Sequence, residues 1–117
     1  MGNFQKLHVW QLAKELAINI YKLTQKSELS KDYGLRDQIQ RSAVSIPSNI
    51  AEGDELDTDK QSVRYFYIAK GSAAELLTQL IIAQEIGYID KTYSDQLIND
   101  CKLISVMLTK LISARSK

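Results

Sequence analysis

Apolar residues recur every three or four positions through most of the chain, the spacing that places them on one face of an α-helix. The clearest segment is "VWQLAKELAINIYKLT", residues 9–24. No β-type alternation persists over more than a few residues. Four helices are therefore predicted. The inward positions of the first, second and fourth are Val9, Leu12, Leu16, Ile20 and Leu23; Leu35, Ile39, Ala43, Ile46 and Ile50; and Leu97, Cys101, Ile104, Leu108 and Leu111.

Local signals set the ends of these helices. The second is predicted over residues 33–53, with Gly53 as its stop. The third begins where Thr58 and Gln61 have the spacing of a capping box, and it runs to the Gly87 stop. The fourth follows the "YID" link. Because short links favour antiparallel neighbours, the sequence predicts an all-α fold, an antiparallel up-down-up-down four-helix bundle that forms one domain. This domain is residues 1–117.

The first helix carries a second apolar stripe beside its core stripe. Trp10, Ala13, Ala17 and Tyr21 continue the helical spacing along a neighbouring face. The resulting arc is wider than one neighbouring helix needs. We therefore expect this helix to contact more than one partner.

Pro47, the only proline, lies inside "SAVSIPSNIAEG" in the second helix. It lacks the N–H that would bond the Ala43 carbonyl, which costs roughly 3 kcal/mol in a helix interior. Either the helix breaks near Ser45 and restarts, or one kinked helix continues through the proline. The core stripe keeps its phase on both sides, which favours the kinked helix.

Polar residues form a stripe on the second helix that matches one on the third. In an antiparallel pair joined at "DELDTD", Arg41 lies opposite Ser72 and Glu75. We predict an Arg41–Glu75 ion pair; the alternative is that both side chains face solvent. Within "AKGSAAE", Gly71 is expected to allow close helix packing. The stripes are Gln38, Arg41, Ser45, Ser48, Asn49 and Glu52, facing Ile68, Ser72, Glu75 and Gln79.

Composition is that of a globular protein, with 44% hydrophobic and 25% charged residues. The net charge of +1 does not indicate a polyanion partner by itself. The single cysteine excludes an internal disulfide, and no signal peptide or membrane span is evident, so a cytoplasmic protein without a membrane partner is expected.

Four blocks of the sequence resemble, in order, the signature of the bacterial four-helix bundle family, also called the 23S ribosomal RNA intervening-sequence proteins. They are "LHVWQLAKELAINIYKLT", "YGLRDQIQRSAVSIPSNIAEG", "RYFYIAKGSAAELLTQL" and "IGYI". The resemblance covers nearly the whole chain. The positions that carry its structural motif are Arg41, Pro47, Asn49, Glu52, Gly53, Ser72 and Glu75.

This resemblance implies a small bundle that assembles as a ring-shaped homopentamer, without an assigned catalytic activity. The chain is also similar to the accessory variability determinant of diversity-generating retroelements, which binds nucleic acid and a reverse transcriptase through basic surfaces. It departs from the family pattern in lacking a proline before "YGL" and in reading "DELDTD" after "AEG". The acidic run argues against phosphate binding at that end of the bundle.

The sequence indicates no enzyme, cofactor or metal site. The acidic run, which includes Asp54 and Asp57, lacks the central glycine and closing glutamate of a calcium loop and is expected to be a solvated, helix-capping segment. His8 has no Cys or second His nearby, so a zinc site is not expected. Cys101 lies on an inward stripe, where a structural thiol is expected.

A stripe of basic residues on the first helix is the best nucleic-acid candidate. Lys6, Lys14, Lys22 and Lys26 recur at roughly whole turns. Two hypotheses follow. The first is a non-enzymatic scaffold that binds an unidentified protein. It is expected to be a homo-oligomer, and the family resemblance implies a pentamer. The alternative is an RNA- or DNA-binding accessory protein that acts through these lysines, with a reverse transcriptase as its associated enzyme.

Overall fold

A computed structural model describes residues 3–56 and 58–116. The described residues form four long helices and no strand. The helices are α1 (His8–Lys26), α2 (Tyr33–Asp54), α3 (Asp59–Glu85) and α4 (Lys91–Arg115). Two short 3₁₀ segments, Phe4–Lys6 and Glu28–Ser30, were not predicted. The all-helical prediction is confirmed.

Side-chain caps begin three of the helices close to the predicted positions. The backbone N–H of Leu35 donates to the Asp32 carboxylate at the start of α2. Thr58 Oγ1 accepts from the Gln61 N–H at 3.3 Å, as the capping-box spacing predicted. Asp90 caps α4 in the same way. Gly87, with a φ of 82°, follows α3 in the left-handed conformation that glycine adopts most readily.

The predicted inward stripes form the core. Leu16 and Ile20 of α1 and Ile104 and Leu108 of α4 are almost completely buried. The α2 stripe is buried at every predicted position except Leu35, which packs partly buried against the same core. Phe66 is the largest fully buried side chain and packs from α3. Periodicity therefore identified the core correctly.

The helices form a rod of 44 × 20 × 20 Å. Helix α1 packs against α2 and α4, and α3 packs against the same two helices. Hence α1 and α3 lie diagonally across the rod. Contacts between consecutive helices begin near each link and continue outward. Examples are Gln40 to Thr24 for α1 and α2, at 2.9 Å, and Gln84 to Ser94 for α3 and α4, also at 2.9 Å.

A polar contact closes each end of the rod. Arg115 donates to the buried Asp54 carboxylate at 2.8 Å, and its guanidinium lies 5.4 Å from the centre of the Phe66 ring. At the other end, the Tyr88 hydroxyl donates to Asp32 at 3.2 Å, and this bond raises the pKa of Tyr88. These contacts join helix ends that are distant in sequence.

Candidate functional site

An apolar groove of about 450 Å³ lies between α1 and α2. Its exposed apolar side chains are Ile18 and Val44, each 42% exposed, and Tyr21, 39% exposed. We call this surface the α1–α2 groove. Tyr21 belongs to the second apolar stripe of α1, for which more than one partner was predicted. The lining residues are Lys14, Ala17, Ile18, Tyr21, Lys22, Gln25, Val44 and Pro47.

Pro47 lies inside one continuous helix, so the alternative of a break near Ser45 is wrong. The ring is only partly buried and lines the α1–α2 groove. The polar stripe of the same helix faces α3 instead. Pro47 is therefore placed between a core on one side and an open apolar surface on the other.

The predicted lysine stripe is only partly one surface. Lys14 and Lys22 border the α1–α2 groove, while Lys22 and Lys26 border a second depression with Tyr88. Lys6 lies in the 3₁₀ segment before α1 rather than on it, a correction to the sequence-based placement. All four side chains are exposed, and no ion pair engages them within residues 3–56 and 58–116.

A second exposed apolar surface lies on α3, diagonal to α1. Tyr67 is 57% exposed, Ile82 is 47% exposed and Ile68 is 44% exposed. The sequence analysis did not predict this surface, because it assigned no inward and outward apolar faces to the third helix and placed Ile68 on the stripe that faces the second helix. The α3 outer face consists of Tyr67, Ile68, Gly71, Ala74, Thr78, Ile81 and Ile82.

Helices α2 and α3 meet along a seam of small and polar residues. The hydroxyls of Ser45 and Ser72 are 2.9 Å apart, and Asn49 Nδ2 donates to both the hydroxyl and the carbonyl oxygen of Ser45. Near the link, Ser62 Oγ donates to the Gly53 carbonyl at 2.6 Å. The Ser45–Ser72 contact agrees with the predicted facing of the two stripes, whereas Ile68 of the predicted α3 stripe lies on the exposed α3 outer face.

Gly53 and Gly71 do not have the roles that the sequence predicted for them. Gly53 does not end α2 in a left-handed conformation, because it is still part of the helix. A Cβ atom added at Gly53 would lie 2.9 Å from Phe66 and 3.0 Å from the Ser62 carbonyl oxygen. Gly71 is exposed, and nothing lies within 4 Å of its Cβ position. Close approach of α2 and α3 therefore depends on Gly53.

A polar cleft of about 270 Å³ opens beside this seam. The predicted Arg41–Glu75 ion pair is not formed among the described residues, although both side chains line the cleft. Both are exposed, and an ion pair in water gains little against the loss of side-chain freedom. The α2–α3 cleft is lined by Gln38, Arg41, Ser42, Ser45, Glu75 and Gln79.

The remaining candidate residues occupy ordinary structural positions. Glu52 is exposed. Cys101 is buried, as predicted, and burial, followed by the neighbouring Asp100 charge, raises its pKa to about 12. Asp54 of the acidic run is buried and paired rather than solvated, which corrects that expectation for this residue; Asp57 lies outside the described residues.

Across residues 3–56 and 58–116, no three His, Cys, Asp or Glu side chains come together as a group able to hold a metal ion. Over the same ranges, none of the helices has the length and apolar character needed to cross a membrane.

Comparison with known proteins identifies relatives in sequence and in structure. Residues 5–110 match the model of a family described as 23S rRNA-intervening sequence protein. The chain is also similar to a crystal structure, at 1.70 Å resolution, of a protein with unknown function from the S23 ribosomal protein family of Bacteroides thetaiotaomicron. The two are 26% identical, with a TM-score of 0.82 over 89% of this chain and 97% of that one. No curated protein matches the chain.

Proposed function

Because the chain belongs to the 23S rRNA-intervening sequence protein family, we propose that it is a non-enzymatic helical scaffold that assembles with copies of itself. One observation carries the proposal: the rod exposes apolar surfaces on different helices, among them the α1–α2 groove and the α3 outer face. Exposed apolar surfaces of this kind are typical of protein contacts. The protonated, buried Cys101 supports a structural rather than a nucleophilic role.

The occupant of the α1–α2 groove is the α3 outer face of a second copy. The two surfaces lie on diagonal helices, so one copy can engage two neighbours through different faces. Such a heterologous contact closes into a ring when its rotation fits. Charge complementarity supports the pairing at one end of the contact, because Lys14 and Lys22 border the groove and exposed Glu85 flanks the Ile82 end of the α3 outer face, while exposed Arg64 flanks its other end.

The finer features of the scaffold are part of the same proposal. The helices run up-down-up-down, which is supported by contacts that progress outward from each link. The ring has five copies, a number that comes from the family resemblance. The assembled ring acts in the cytoplasm and presents its remaining surface to a protein partner.

Light scattering of matched variants tests self-assembly. Val44→Lys places a charge in the groove, Ile82→Lys places one on the α3 outer face, and Asn99→Lys is the control on an exposed polar position of α4. The first two should lower the solution mass to that of a monomer, whereas the control should keep the wild-type mass. Circular dichroism checks that every variant remains helical.

Mixing the Val44→Lys variant with the Ile82→Lys variant distinguishes a heterologous contact from other arrangements. Val44→Lys keeps an intact α3 outer face and Ile82→Lys keeps an intact groove, so an equimolar mixture should form a dimer through the one undamaged pair of surfaces. A wild-type protein that is monomeric, or a mixture that stays monomeric, contradicts the proposed contact.

Nucleic-acid binding is the second candidate function. It is supported by the exposure of Lys14, Lys22 and Lys26, which no ion pair among the described residues engages, although the Lys14 ammonium lies 5.6 Å from the centre of the Trp10 ring. If several phosphates are bound, affinity for short RNA or DNA should fall by orders of magnitude between about 50 and 200 mM salt. Lys22→Gln should weaken binding and reduce the salt slope, and Lys60→Gln on α3 is the control. An association with a reverse transcriptase belongs to this candidate.

A further inference from the structure

The α2–α3 cleft contains polar groups that the protein itself leaves without partners. Arg41 and Glu75 form no ion pair within the part of the chain that the structure describes. Gln79 Oε1 is buried and accepts no hydrogen bond. Because most buried polar atoms in proteins have a partner, an orphan acceptor in the wall of the cleft is a group that a bound donor can satisfy.

The register of the two helices brings these groups together. The contact between Ser45 and Ser72 fixes how α2 lies along α3. In that register, Arg41 lies opposite Glu75, and one turn further from the link Gln38 lies opposite Gln79. Opposite charges thus face each other across a cleft instead of bonding directly.

From this arrangement we propose that the α2–α3 cleft binds a small zwitterion, a free amino acid that carries one ammonium and one carboxylate group. Arg41 presents a planar donor fork that suits a carboxylate. Glu75 presents carboxylate acceptors, an ammonium group supplies three donors, and Gln79 adds an acceptor when its buried Oε1 turns toward the cleft. A purely anionic or purely cationic ligand leaves one side of the cleft unsatisfied.

The size of the cleft limits the ligand. Its volume of about 270 Å³ is below the range of roughly 300 to 1,000 Å³ that holds drug-sized molecules. All six lining side chains are polar, and Ser42 is buried in the cleft wall. Small polar amino acids should therefore bind more tightly than leucine.

This site is independent of the proposed self-assembly. None of its six residues lines the α1–α2 groove or belongs to the α3 outer face. Failure of the zwitterion proposal therefore leaves the scaffold proposal standing, and the reverse also holds.

NMR titration of the ¹⁵N-labelled protein tests the proposal. The probes are L-serine, L-asparagine and L-leucine, compared with N-acetyl-L-serine, which lacks the ammonium, and L-serine methyl ester, which lacks the carboxylate. Saturable shifts of the Gln79 side-chain amide are expected for the two polar amino acids. Each derivative should bind about tenfold more weakly or worse, because it loses a charged hydrogen-bonding group.

Variants assign the binding to the two charges. Arg41→Gln and Glu75→Gln should each weaken L-serine or L-asparagine binding by about tenfold or more. Arg64→Gln and Glu85→Gln are matched controls on exposed positions of α3 outside the cleft. All four positions are exposed, so the variants should fold. The proposal is overturned if no amino acid gives saturable shifts, if the derivatives bind equally well, or if the cleft variants behave like the controls.

Discussion

Two glycine-to-alanine substitutions should change stability in opposite directions. Gly53 and Gly71 both lie in long helices, so alanine should favour the helical backbone at each by about 0.5 to 1 kcal/mol. Their surroundings differ. Gly71 has open space at its Cβ position, whereas Gly53 lies against α3.

The contact distances decide which effect is larger. At Gly53 an added Cβ would lie 2.9 Å from Phe66 Cε1 and 3.0 Å from the backbone oxygen of Ser62. The Ser62 carbonyl cannot move without separating two helices, and the fully buried Phe66 has no free space. Overpacking of this kind costs roughly 1 to 3 kcal/mol. Gly53→Ala should therefore destabilise by about 1 kcal/mol, while Gly71→Ala should stabilise by about 0.5 to 1 kcal/mol.

Urea denaturation followed by circular dichroism measures the difference. Both variants are compared with the parent at one protein concentration, and light scattering checks the mass of each, because self-association adds to apparent stability. The free energies of unfolding should differ by about 2 kcal/mol between the variants. Equal stabilities for Gly53→Ala and Gly71→Ala would refute the close approach of α2 and α3 at Gly53.

Two further predictions concern buried groups. Arg115→Ala should lower the free energy of unfolding by about 2 kcal/mol, because it leaves the buried Asp54 carboxylate without its partner. Lys91→Ala, which breaks the exposed ion pair with Asp95, should lower it by about 0.5 kcal/mol or less. Equal losses for the two variants in urea denaturation would contradict this prediction. At about pH 8, a pKa near 12 leaves Cys101 with roughly a thousandth of the thiolate fraction of an ordinary thiol. Iodoacetamide should therefore label Cys101 far more slowly in the folded protein than in the protein unfolded in guanidinium chloride. Equal labelling rates would contradict the burial of Cys101.

Features set by local sequence were predicted well. The starts of α3 and α4 follow from the side chains of Thr58 and Asp90, which bond backbone groups three residues away. The stop at Gly87 follows from its positive φ, which glycine adopts more easily than other residues. The core stripes were recognised because a helix fixes which residues share a face.

Features set by the distance between helices were not predictable in the same way. The register placed Arg41 opposite Glu75 correctly, but whether the charged atoms meet depends on helix separation and on the side-chain rotamers. The two glycines show the same limit, because both lie near small residues in sequence, and only the rotation of each helix decides which one faces a neighbour.

The groove is missing from the sequence-based description for a related reason. Val44 and Ile18 fit the apolar composition of a core, and periodicity alone does not show that no fifth helix covers them. The wide apolar arc of α1 was the usable signal. It indicated an additional partner without saying which residues of α2 would share that surface.

Pro47 connects helix stability with this surface. Pro47→Ala restores the N–H that can bond the Ala43 carbonyl, a gain of about 3 kcal/mol in a regular helix, reduced by about 1 kcal/mol because the unfolded chain becomes more flexible. We expect the variant to be more stable by about 1 to 2 kcal/mol in urea.

The same substitution should weaken self-assembly, because it removes the proline ring from the α1–α2 groove while leaving Ile18 and Tyr21 in place. Light scattering over a dilution series should therefore show the Pro47→Ala protein dissociating at a higher concentration than the parent, although its helices are more stable. A variant that is less stable in urea would show that the ring contributes more to packing within the chain than to the groove. If Pro47→Ala leaves self-assembly unchanged, the proline ring does not contribute to binding in the α1–α2 groove.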